Sequence, residues 1–270
     1  MPVTCACTTP PFQSMGGGRL EICVDSFESA ENAIRGGADQ LEVCSALSLG
    51  GLTPSIGLVR RIRAAYPKMP LLVMLRPRGG DFVYTDDEIL VMEEDLRCMR
   101  LAGATGYVFG VLESDGTLDM ARCERLIHLA QPAPCTLHRA FDLTKDWRET
   151  IEQAIKAGFK TILTSGHAPL AIDGTTRLKK IHQEADDRIN ILVGSGVNSQ
   201  SLPTLLAETN CSWFHGSASV PVKAKAKRNG FTLGSHDHDV QRVTSEEEVG
   251  LLRDQLDKYF GTRPIRTPYY

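Results

Sequence analysis

No apolar run in this 270-residue chain approaches the ~18 residues that a membrane-spanning helix needs, so membrane insertion is not expected. No CxxC pair occurs among the eight cysteines, which removes the usual spacing of a structural zinc ribbon or finger. Neither sign of charge is in excess: 33 acids face 30 bases, for a formal net charge of −3. That balance, with no clustered basic stripe, leaves no electrostatic footprint for nucleic acid. The first eighteen residues lack the basic and apolar segments of a secretory signal. The reading is a cytoplasmic protein, nuclear presence left open, and in that compartment disulfides are rare. The strand-like run at 19–25 ends in Val24-Asp25-Ser26-Phe27, not in a glycine-rich turn. A dinucleotide-binding open sheet is therefore disfavoured, and no organic cofactor is expected.

Hydrophobic residues make up 42% of the chain and charged residues 23%, proportions that allow a large buried core. Residues 1–18 are rich in Thr, Pro and Gly and read as a flexible tail that contains Cys5 and Cys7. Beyond it, short β-prone runs alternate with longer stretches of helical periodicity. Strands are expected at 19–25, 41–44, 71–75, 107–112, 135–141, 161–164, 189–193 and 213–217. Ser26 is placed to cap the first helix, and Pro54 to begin the second. The long amphipathic run at 86–102 ends at Gly103, and further helices are expected at about 121–130, 147–157, 178–185 and 202–208. A polar loop at about 219–245 precedes a last helix at about 246–260. Strands that alternate with helices pair in parallel. Eight such units predict an α/β fold, a single (β/α)8 TIM barrel over 19–270.

In a barrel, side chains alternate between the helical shell and the interior. Leu20, Ile22 and Val24 are then outward, and Glu21, Cys23 and Asp25 inward. The second strand repeats the phrase: LEIC at 20–23 becomes LEVC at 41–44, with Glu42 and Cys44 inward. Active sites of this fold lie at the carboxyl ends of the strands, near Cys23 and Cys44. If the two sulfurs sit level, they converge on one soft ion, since thiolates select Cu(I) over hard cations. Met74 adds a thioether to the same lining. A pair of buried core cysteines is the plain alternative. Arg76 and Arg78, at the end of strand three, are expected to pair with Glu21 and Glu42, because unpaired buried carboxylates are costly. Guanidinium forks also suit a carboxylate or phosphate ligand. His138 and Arg139 follow strand five, one of them facing inward. Ser165 lies in the TSG turn after strand six, and His215 on strand eight completes the polar rim. The HDHD run at 236–239 and the basic run at 223–228 read as solvated loop.

The segments LEICVDSFESA, GGADQLEVCSALSLGGLTPS, RPRGGDFVYTDDE, TLHRAFD, LTSG and GSGV together resemble the CutC copper-homeostasis family. The similarity runs from about residue 19 to 217, with a weaker echo at 227–234. The resemblance implies a single barrel, a cytosolic protein, a link to copper tolerance and homo-oligomers. It also implies Cu(I) as the bound partner, with Cys23 and Cys44 as metal ligands, and no settled enzymatic activity. A competing reading is a TIM-barrel enzyme that acts on a small phosphate or carboxylate compound at the Arg/Glu/His-lined mouth. No complete nucleophile–base set supports it, so no catalytic residue is assigned.

Overall fold

The structure, a computed structural model, describes residues 17–222 and 241–261. Eight parallel strands close into a barrel in chain order: β1 (Arg19–Val24), β2 (Gln40–Val43), β3 (Leu71–Met74), β4 (Gly106–Phe109), β5 (Cys135–Leu137), β6 (Thr161–Thr164), β7 (Asn190–Val193) and β8 (Trp213–Gly216). The expected (β/α)8 barrel is the observed architecture. The outer shell is α1 (Phe27–Arg35), α2 (Ile56–Ala65), α3 (Asp86–Ala102), α4 (Met120–Ala130), α5 (Trp147–Ala157), α6 (Thr175–Ala185), α7 (Leu202–Thr209) and α8 (Glu246–Phe260). Among the described residues, no helix is long and apolar enough to cross a membrane.

Helix starts follow from side-chain caps that satisfy otherwise orphaned backbone N–H groups. Ser26 Oγ accepts from Ser29 N at 3.1 Å. α2 begins at Ile56 rather than at Pro54, capped by Ser55, whose side chain accepts from Leu58 N. Thr85 and Glu88 form a reciprocal capping box at α3.

Two expected strands end early for local reasons. β4 stops at Phe109 because Gly110 lies against its neighbour: a Cβ there would sit 2.8 Å from Leu137 Cδ1 and 2.9 Å from His138 Nδ1. β5 stops at Leu137 because the His138 ring accepts from Ala140 N, and residues Arg139–Leu143 coil into a 3-10 helix. The expected polar loop is described at its two ends. Its ends form an antiparallel ribbon of β9 (Ser219–Val222) and β10 (Gln241–Thr244). The HDHD run and the basic run at 223–228 lie outside the described residues, as do Cys5 and Cys7.

The principal core lies between barrel and helices, where Leu20, Ile22, Val24, Leu41 and Val43 join one continuous cluster. A small inner cluster holds Cys44, Leu72, Met74 and Val108. Helix α8 seals the seam below α1. Gly36, at the end of α1, has an ordinary right-handed φ of −72°. A Cβ there would lie 2.5 Å from Val249 Cβ and 2.7 Å from Glu246 O. Gly36→Ala should therefore destabilise the fold by about 1–3 kcal/mol through overpacking. Urea unfolding followed by circular dichroism checks this, and an unchanged midpoint would refute it.

Candidate metal centre at the barrel mouth

The two copies of the four-residue phrase on β1 and β2 are not level. Cys23 lies opposite Glu42, and Glu21 opposite Gln40. Cys44 follows two residues after Glu42, just past the end of β2. The stagger that lets a sheet close into a barrel is the cause. On its other edge β1 pairs with β8, which sets Glu21 opposite His215. Stagger and closure together gather Cys23, Glu42 and His215, whose donor atoms all lie within 4.8 Å of one another. Cys44 is outside that triplet and meets it through Glu42: its Sγ donates to Glu42 Oε2 at 3.4 Å.

Hydrogen bonds orient the cluster. His215 Nδ1 lies 2.7 Å from Glu21 Oε1, and Gln40 Nε2 donates to Glu21 Oε2 at 2.5 Å. With Nδ1 engaged, His215 Nε2 faces Glu42 Oε2 at 3.7 Å. A carboxylate on one imidazole nitrogen fixes the ring and makes the other a better metal donor. Glu42 Oε1 is buried without a hydrogen-bond partner among the described residues.

Burial sets the protonation of the cluster because it disfavours charge. It pushes Glu42 up to about 7, with the Glu21 charge adding to the rise and His215 opposing it. It raises the Cys23 thiol against the pull of His215. It raises Cys44 well above the usual thiol range, with Glu42 adding to the effect. Burial alone would favour a neutral His215. Its acidic neighbours Cys23, Glu42 and Glu21 outweigh it and lift the ring well above its ordinary value. A cation entering here must displace these protons.

A cavity of about 1140 Å³ opens above the cluster, with Cys23, Glu42, Met74, Arg76, His138 and His215 in its wall. Cys44 lies under a roof. A Cβ on Gly51 would stand 3.2 Å from Cys44 Sγ and 3.5 Å from Met74 Cε. Arg76 clamps this roof: Nη1 donates to Leu49 O at 2.7 Å and Gly51 O at 3.1 Å, and Nη2 to Gly80 O at 3.0 Å. The expected pairing of Arg76 and Arg78 with Glu21 and Glu42 therefore does not form. The glutamates sit deeper and find Gln40, His215 and Cys44 first, while Arg76 meets loop carbonyls at the rim. Arg78 turns away after Pro77. Its Nε lies 2.5 Å from Glu88 Oε1 and its Nη2 3.1 Å from Asp81 Oδ1, and it does not line the cavity.

Of the pair after β5, His138 is the buried one. Its Nδ1 accepts from Ala140 N at 3.2 Å. Burial, with the Arg76 charge adding, pushes its pKa down to about 3, so the ring is neutral. Arg139 lines the cavity but is held by Asp142 Oδ2 at 2.8 Å and Ser165 Oγ at 2.8 Å. Ser165 itself donates to Asp142 from both N and Oγ. It braces the rim and does not face the cavity. Sequence reasoning passed over Gln40, although a polar residue two before Glu42 shares its inward phase.

The CutC family pattern matches residues 18–220. A Caenorhabditis elegans protein named copper homeostasis protein cutC homolog is 49% identical over 238 residues, covering 88% of this chain and 95% of its own. The Homo sapiens protein of the same name is 44% identical over 202 residues, covering 75% of this chain and 74% of its own. The crystal structure of a CutC protein from Streptococcus agalactiae superposes with a TM-score of 0.71 at 30% identity, covering 74% of this chain and 98% of that one.

His138 makes a pH prediction. Its folded pKa, about 3, lies below the usual 6.5. Between those values the unfolded chain binds more protons than the folded one, so stability is full above the upper value and falls as the pH drops towards the lower. His138→Gln should remove this component and flatten the acid limb by a few kcal/mol. Urea midpoints measured from pH 7 down to pH 4 check it; identical acid limbs for the two proteins would contradict it.

Proposed function

Because the chain belongs to the CutC family, we propose that it serves copper homeostasis by binding Cu(I) at the Cys23–His215 cluster, as a cytosolic sequestering or shuttling protein. The observation that carries this reading is the grouping of Cys23, Glu42 and His215, with His215 held by Glu21 and a second thiol, Cys44, bonded to Glu42. Copper is the cargo in this reading.

The donor chemistry suits the ion. Thiolate sulfur is a soft ligand that selects Cu(I), and imidazole also serves copper. Cys23 Sγ and His215 Nε2 are the first two donors. Carboxylate oxygen is a hard ligand and a poor partner for Cu(I), so Glu42 has a different task. It holds the Cys44 thiol and is placed to take its proton as the ion arrives. Cys44 then supplies the second sulfur. Binding thus releases protons from groups that burial keeps protonated. Cys23 is the point of entry, because it faces the cavity while Cys44 lies beneath the Gly51 roof.

The test is a Cu(I) titration with a competing chelator under anaerobic, reducing conditions. The double variant Cys23→Ser with Cys44→Ser should lose tight binding while keeping its circular dichroism spectrum. Glu21→Gln, which touches no ligand atom except through His215, should weaken affinity by about 10- to 100-fold. Unchanged affinity in the double variant would sink the assignment, as would tighter retention of Zn(II) than of Cu(I) by the unaltered protein.

A further inference from the structure

The thiol cluster accounts for the deep wall of the cavity and leaves its rim unexplained. Arg76 is nearly buried, with 6% of its surface exposed. Its guanidinium donates to the carbonyl oxygens of Leu49, Gly51 and Gly80 and lies beside the Tyr84 hydroxyl, and no ion pair joins it to a carboxylate among the described residues. A buried cation without a counter-charge is costly. Three neutral carbonyls orient it and do not neutralise it.

His138 raises the same question from the end of β5. Its ring is 3% exposed. Because Nδ1 accepts the Ala140 N–H, the proton of the neutral ring sits on Nε2. That Nε2–H is buried and has no partner among the described residues. An unmet buried donor is costly. The two residues share one aromatic neighbour: the Phe82 ring lies 4.5 Å from the His138 ring and 5.0 Å from Arg76 Cζ. All three line the same cavity.

The carboxylates on that wall do not fill the gap. Asp142 is committed to Arg139, Thr164, Ser165 and the His167 backbone N–H. Glu42 faces His215 and Cys44 in the deep cluster. The cavity of about 1140 Å³ is also far larger than one metal ion needs; volumes of this order hold small organic molecules.

We propose that the barrel mouth carries a second site, separate from the thiols, in which Arg76 and the Nε2–H of His138 bind the oxyanion of a small carboxylate or phosphate compound against Phe82. Arg76 supplies the charge and His138 a directed hydrogen bond. The carbonyl clamp on Arg76 holds the guanidinium in place before the ligand arrives, so little side-chain entropy is lost on binding. The ligand bridges Arg76 and His138, tying the rim of β3 to the rim of β5.

The experiment uses the full chain, copper-free and reduced, titrated separately with malonate and with inorganic phosphate. Calorimetry reads affinity, and ¹⁵N-histidine spectra read the Nε2 signal of His138. Saturable binding of one or both probes with a downfield shift of that proton is the expected result; the tighter probe identifies the ligand class. His138→Leu should weaken binding by about tenfold or more, the loss of one charge-assisted hydrogen bond. His138→Gln, which keeps an N–H donor, should restore part of it. If His138→Leu fails to fold, the Nε2 shift in the unaltered protein decides alone. No saturable binding of either probe would overturn the proposal, as would binding that leaves the His138 signal unmoved. Because copper is absent throughout, either failure leaves the thiol reading standing.

Discussion

The hydrogen bond between Glu21 and His215 is the contact on which the site depends. It spans the seam where β1 meets β8 and the barrel closes. A carboxylate that is 1% exposed is tolerable only with its oxygens engaged, and here His215 takes one and Gln40 the other. Closing the sheet thus satisfies the acid, and the satisfied acid orients the imidazole. Only then does Nε2 face Cys23 and Glu42. Fold closure and imidazole orientation are one interaction seen from two sides.

The interior is divided accordingly. Most apolar burial is outside the strands, against the helices, which frees the inner face near the mouth for polar chemistry. The inner apolar cluster is small and sits around Met74. Above it, Arg76 is held by loop carbonyls, and through them it fixes the glycine roof over Cys44. The two thiols, alike in sequence, are unlike in place. One borders open space, and the other is sealed behind a loop whose Gly51 has a φ of +86°, a conformation that side-chain-bearing residues rarely adopt.

Much of the scaffold was legible from local signals. Strict alternation on β1 separated Leu20, Ile22 and Val24 from Glu21 and Cys23. The Ser26 cap marked the first helix start. Ends of elements were less legible, as at Gly110 and His138, because a neighbouring strand or a side chain accepting from backbone decided them. The least legible feature was partnership. Glu21 and Glu42 were matched to the nearest suitable charges in the sequence pattern, Arg76 and Arg78. The real partners, Gln40 and His215, come from adjacent strands, and His215 lies 194 residues away.

Composition and periodicity by themselves determined a (β/α)8 barrel, the face on which each residue of β1 and β2 lies, and two inward cysteines near the strand ends. Tertiary structure alone decided that Cys23 meets Glu42 and His215 rather than standing level with Cys44. Alternation is a two-residue period that any single strand expresses on its own. Stagger belongs to the closed sheet as a whole: all eight strands must slide together before the ring can shut. No one strand's sequence carries that displacement, and it is the displacement that chooses which inward-facing groups meet.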